Sequence, residues 1–136
     1  MKALDTLSRN PNGFFLMIEG SNIDKAAHSN NLEEMMEELL DFDRTAGAVL
    51  DWASKHPGTL VVITADHNTG AFALTGGSRE QGEITGRFGS GSHDGVAVPV
   101  YAFGAGSGDF TGIYENTDIF NKIMNAFKKG ADKPVR

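Results

Sequence analysis

Leu60-Val61-Val62-Ile63 is an unbroken apolar run, rich in β-branched side chains, between Pro57-Gly58 and Asn68-Thr69-Gly70. Such a run reads as a strand buried on both faces, which commits the chain to a sheet with cover on each side. Asp66 and His67 stand side by side just past its C-terminal end. In open α/β sheets, ligands bind at the carboxyl ends of strands. Neighbouring residues on a regular strand point to opposite faces, so this pair serves one site only if the chain has begun to turn. Asn68, Thr69 and Gly70 are turn formers that allow it.

A second continuous apolar run, Phe14 to Ile18, again reads as a strand buried on both faces and ends on a carboxylate, Glu19. Before it, Ala3 to Ser8 reads as a short helix stopped by the turn residues Asn10-Pro11-Asn12-Gly13. After it, Asp24 and His28 stand four residues apart. On a helical turn that spacing places both on one face. Asn30 or Asn31 then caps a long amphipathic helix from about Leu32 to Lys55, with Glu33 and Glu34 in its first turn, where the helix dipole favours anions. The Met-Leu stripe of that helix reads as core, its acidic face as solvated, and His56 as a structural residue at its end. Gly76 to Ser92 is a polar, glycine-rich excursion, long enough to be functional or mobile. Val96 to Phe103, with Pro99, reads as a third strand. A last helix opens at Thr117-Asp118 and runs to about Phe127, with a polar tail from Lys128. Strand runs interleaved with helices predict an α/β chain, a three-layer sandwich with a mostly parallel sheet.

Composition removes several function classes. The net charge of -6, without a Lys/Arg stripe, argues against nucleic acid as a partner. The absence of cysteine excludes disulfides and thiolate metal sites. No apolar run approaches the roughly 20 residues of a membrane span. The length, 136 residues, suits a single domain. Walker, Rossmann and Gly-x-Ser-x-Gly elements are missing, so the chemistries they serve have no support.

What remains is a set of imidazoles beside carboxylates near turns: Asp24 with His28, Asp66 with His67, and His93 with Asp94. Asp24, His28 and His93 offer two nitrogens and one oxygen, the donor set of a catalytic zinc that keeps a fourth position open. Asp66 and His67 offer part of a second site. Glu19, without an imidazole partner, suits the hard Mg²⁺ ion.

These stretches resemble the alkaline phosphatase family. The segment from Phe14 to His28 is similar to its metal segment in the order and spacing of Glu19, Asp24 and His28. Thr64-Ala65-Asp66-His67-Asn68-Thr69-Gly70 resembles its Thr-Ala-Asp-His-Glu-Thr-Gly motif, with Asn68 where Glu is usual. His93-Asp94-Gly95 and Val98-Pro99-Val100 resemble its last His-x-Gly segment. The resemblance implies two zinc ions and one magnesium. Asp24, His28 and His93 would hold the first zinc, Asp66 and His67 the second, and Glu19 the magnesium. Lys25 matches a lysine that bacterial members place near the substrate phosphate. The implied reaction is hydrolysis of phosphate monoesters. The family's nucleophilic serine lies in an Asp-Ser-Ala motif with no counterpart here, nor is there one for its phosphate-binding arginine or for a further metal-bridging aspartate. The expectation is therefore one domain, 1–136, that is the C-terminal part of such an enzyme. On its own it is inactive, and its partner is the missing N-terminal half. The full-length protein is expected to be a homodimer, periplasmic or secreted. Other readings are a non-catalytic metal-binding fragment, a phosphodiesterase or a phosphoglycerate mutase of the same superfamily. The motif spacing favours the monoesterase.

Overall fold

The structure is a computed structural model that describes residues 2–131. Its helices are α1 (Lys2–Leu7), α2 (Ser21–His28), α3 (Leu32–Ser54) and α4 (Asp118–Ala131). Its strands are β1 (Leu60–Thr64), β2 (Asn68–Thr69), β3 (Ala73–Ser78), β4 (Glu83–Arg87), β5 (His93–Asp94) and β6 (Val100–Gly104), with a 3-10 turn at Ser107–Phe110. The polar tail expected from Lys128 is helical as far as Ala131, and residues 132–136 lie outside the described residues. No helix among the described residues is long and apolar enough to cross a membrane.

The chain divides into two compact units. The first comprises residues 1–48 and 69–94. Its centre is Ala26, Ala27 and Met35, against which Ile23, Leu32, Phe72 and Phe88 pack. The small side chains of α2 are what let α3 approach it: Ala26 and Ala27 are almost fully buried. Asn31 starts α3 with a reciprocal cap. Its Oδ1 accepts the Glu34 backbone N–H at 3.2 Å while its amide donates to the Glu34 carboxylate at 3.0 Å. One orphan N–H of the first turn is satisfied in this way, and the side-chain bond braces the cap.

The glycine-rich stretch is not without secondary structure in this unit. Most of it forms an antiparallel hairpin of β3 on β4, with Ala73 opposite Arg87 and Ser78 opposite Glu83, and an irregularity between Leu74 and Gly76. Both strands are exposed along most of their length, so no apolar alternation announced them. Phe72 and Phe88 anchor the hairpin base, their ring centroids 4.9 Å apart.

The second unit comprises residues 49–68 and 95–136. Here β1 pairs with β6, Leu60 opposite Gly104 and Thr64 opposite Val100. The 3-10 turn packs on β1, β6 and α4, and buries Phe110. At the end of α3, His56 stacks on Trp52 with centroids 3.7 Å apart and donates from Nδ1 to the Trp52 carbonyl at 2.7 Å. That is the structural role expected of it.

The mostly parallel sheet is not what the described residues form. There are three two-stranded sheets, and the β1–β6 and β3–β4 ladders are antiparallel. An apolar run reports extension and burial but not the direction of its partner. That direction depends on where the chain returns, and it re-enters at Val100, opposite the residue where β1 ends. Phe14 to Ile18 forms no regular element and belongs to none of the three sheets, and Phe15 and Met17 are 62% and 74% exposed. Burial on both faces holds for neither run: within β1 only Val61 is buried.

Candidate metal centre

Three side chains from two distant stretches of the first unit meet. Asp24 and His28 lie on the same face of α2, as their spacing required. His93 opens β5, which pairs with β2. His28 Nε2 lies 3.4 Å from Asp24 Oδ2, His93 Nε2 lies 3.5 Å from Asp24 Oδ1, and the two Nε2 atoms are 3.0 Å apart. The rings are tilted by 40° with centroids 4.9 Å apart, so their nitrogens converge rather than stack.

Neighbours fix this arrangement. The Gly91 carbonyl can only accept, so His28 Nδ1, 2.8 Å away, carries the proton. With Nδ1 committed to that carbonyl, Nε2 faces His93 and Asp24. Thr69, 9% exposed, donates its hydroxyl to Asp24 Oδ1 at 2.6 Å and fixes the carboxylate. Asp94 does something else: its Oδ2 accepts the backbone N–H of Ala71 at 3.0 Å, within the turn that follows β2. Ala71 is left-handed there, with φ 44°, as is Gly70, with φ 80°. A side chain at Gly70 would meet the Phe88 ring at 2.8 Å and the Ala27 carbonyl at 3.1 Å. Glycine at this position therefore meets both a backbone and a packing demand.

The residues fit a zinc ion. Donor atoms about 2.0–2.1 Å from a tetrahedral zinc stand roughly 3.3 Å from one another. The three distances here straddle that value, the two histidines facing different oxygens of the Asp24 carboxylate, and the donor set is imidazole and carboxylate. Each of the three side chains is partly open to solvent, between 38% and 52% exposed, which leaves a face for a further ligand.

The surroundings of the remaining candidates are as follows. In the second unit His67 Nε2 lies 3.2 Å from Asp66 Oδ2, so the chain does turn after β1 and bring the adjacent pair together. Asp66 is 86% exposed and His67 27%. Glu19 is exposed just after the apolar run from Phe14 to Ile18, and no described contact joins it to the Asp24 cluster. Lys25 is exposed and donates to Asn22 Oδ1 at 3.0 Å, within α2. Sequence reasoning missed Thr69, Gly70 and Gly91 as supports of the cluster. Thr69 and Gly70 stood in the motif only as turn formers, and nothing local connects Gly91 to His28.

Comparison with known proteins gives this geometry its context. The alkaline phosphatase of the Antarctic bacterium TAB5 superposes with a TM-score of 0.85 at 41% identity, over 93% of this chain and 38% of its own. A variant of that enzyme, at a TM-score of 0.84 and 40% identity over 93% of this chain and 39% of its own, is known with Mg bound in its M3 site. Among curated proteins, alkaline phosphatase 4 of Bacillus subtilis is 29% identical over 96% of this chain and 43% of its own length. Alkaline phosphatase of Escherichia coli is 32% identical over 92% of this chain and 30% of its own. The chain thus spans less than half the length of these relatives. The sequence profile of the alkaline phosphatase family matches residues 1–87, which hold the Asp24–His28 and Asp66–His67 pairs. A match over more than half of the chain, with the fold agreement, decides the matter: this chain belongs to the alkaline phosphatase family.

Proposed function

We propose that this chain carries most of the metal ligands of a phosphate monoester hydrolase, and that the hydrolase is completed by further sequence of the kind its relatives have. The observation that carries the reading is the convergence of Asp24, His28 and His93 with donor atoms 3.0–3.5 Å apart. Asp24, His28 and His93 hold one zinc, Asp66 and His67 hold a second, and Glu19 contributes to a magnesium site. The bound metals supply Lewis-acid chemistry: they stabilise charge on phosphoryl oxygens and on the leaving oxygen. The protein's share is positioning. Thr69 and Gly91 hold Asp24 and His28 so that little reorganisation is needed when the ion arrives. Lys25 offers a cation for the substrate phosphate once it releases Asn22. Phe15 and Met17, with Leu39 and Leu40 of α3, leave apolar area exposed that the rest of a longer fold would cover. Within that fold Phe14 to Ile18 would join a mostly parallel sheet between helical layers. A homodimer in a periplasmic or secreted setting fits the bacterial relatives.

The chain has serines, but none in an Asp-Ser-Ala setting, and a free hydroxyl without an activated environment is a weak nucleophile. The test mixes this chain with a separately produced N-terminal part of a related alkaline phosphatase, zinc and magnesium, and follows p-nitrophenyl phosphate at alkaline pH. Turnover by the mixture, and by neither part alone, is the expected result. Robust zinc-dependent turnover by this chain alone would show that the nucleophile lies within it.

A further inference from the structure

Three consecutive carbonyls precede His93, and each is held by a different group of the first unit. With its amide nitrogen facing the two carbonyls beside it, Asn30 donates to Ser90 O at 2.7 Å and to Ala27 O at 3.1 Å. His28 Nδ1 donates to Gly91 O at 2.8 Å. The backbone N–H of Gly70 donates to Ser92 O at 3.0 Å. The loop is tied internally as well, since the Ser90 hydroxyl accepts the Ser92 N–H at 2.8 Å. Gly91 lies so close to α2 that a side chain there would stand 3.2 Å from the His28 carbonyl. Asn30 itself is left-handed, with φ 53°, a conformation that asparagine tolerates better than most residues.

From this we infer that Asn30 is a positioning residue for the His28–His93 pair. Its carboxamide bridges the end of α2, which carries His28, to the loop that carries His93. Both hydrogens of one NH2 group are used, one on each side. The Gly91 carbonyl between those anchors then fixes the ring of His28, with Nε2 facing His93. Asn30 touches neither donor atom. It acts through the backbone that sets their 3.0 Å separation. In its consequence for zinc this inference rests on the metal reading above, whereas the clamp itself does not require a metal.

The test uses the 136-residue chain with Asn30→Gly, which accepts the left-handed backbone but has no carboxamide. Asn30→Asp is the second variant, because it keeps the side-chain shape but cannot donate to either carbonyl. In the metal-free chain, NMR measures exchange of the His28 Nδ1 proton and of the Gly70 amide. Calorimetry measures zinc affinity, and the visible spectrum of the cobalt(II)-loaded chain reports on ligand geometry. Both variants are expected to speed both exchanges, to weaken zinc about 10-fold, within the range for outer-shell partners, and to alter the cobalt spectrum. Wild-type exchange rates in both variants would overturn the clamp. Faster exchange with unchanged zinc affinity and cobalt spectrum would overturn the positioning role. If the unmodified chain takes no zinc while the variants still lose protection, the clamp stands and the metal reading falls.

Discussion

The Asp24–His28–His93 cluster and the Asp66–His67 pair are built on opposite logics. The pair is made by adjacent residues where the chain turns after β1, and its carboxylate is almost fully exposed. The cluster joins residues up to 69 apart in sequence (Asp24 and His93), and its donors are held by Thr69 and Gly91. Adjacent residues give proximity at no conformational cost beyond the turn. A cluster drawn from distant segments needs a packed support, here Ala26 and Ala27 on the buried side of α2 and the bound carbonyls before His93. The cluster should therefore bind metal in this chain by itself.

The largest effect expected on that contrast comes from removing a donor. Asp24→Ala should weaken the tightest zinc site by more than the roughly 100-fold upper end seen for outer-shell partners. Asp66→Asn should leave that affinity essentially unchanged, because the contact of the Asp66 carboxylate is with His67 and not with Asp24, His28 or His93. Calorimetric titration of both variants measures the contrast, and equal losses would erase it.

Next is Gly70→Ala. It forces a side chain into a left-handed backbone, against the Phe88 ring and the Ala27 carbonyl. Strain and overpacking should together cost about 1–3 kcal/mol, read from denaturant unfolding.

Thr69→Val keeps shape but removes the hydroxyl on Asp24 Oδ1. Zinc affinity should fall about 10-fold, and Thr69→Ser should restore most of it. A valine variant that bound as well as the native chain would mean that Asp24 needs no holding.

The smallest effect lies away from both sites, in the second unit. The hydrogen bond and charge of Lys129 hold the Asp109 carboxyl below its ordinary value, and the charge of Lys122 adds to this. A carboxylate whose pKa is lower folded than unfolded contributes stability above its ordinary value, and loses that contribution as pH falls through the folded one. The pair is solvent-exposed, so its effect on unfolding at neutral pH should be slight. Lys129→Ala should raise the Asp109 midpoint in an NMR titration, and an unmoved midpoint would assign the shift elsewhere.

How legible all this was in the sequence depended on whether the signal was local. The four-residue spacing of Asp24 and His28 specified a shared helical face, and α2 has it. The Asn31 cap and the apolar period gave α3 nearly to the residue. The stacking of His56 on Trp52 also lies within one turn. What failed was non-local. Leu60 to Ile63 marked a strand but not its antiparallel partner, which lies 40 residues on. The hairpin of β3 and β4 is exposed on both faces, so periodicity had nothing to register. The joining of His93 to α2 goes through Gly91 and Asn30, whose roles exist only once the loop is folded against the helix.

The central claim is that Asp24, His28 and His93 form one zinc site. Zinc K-edge X-ray absorption on the chain loaded with one equivalent of zinc tests it most directly. The account predicts two imidazole nitrogens and one carboxylate oxygen among four light-atom ligands at about 2.0–2.1 Å, with one imidazole contribution lost in His28→Ala and one in His93→Ala. A spectrum without imidazole scattering, or one unchanged by both substitutions, would contradict it.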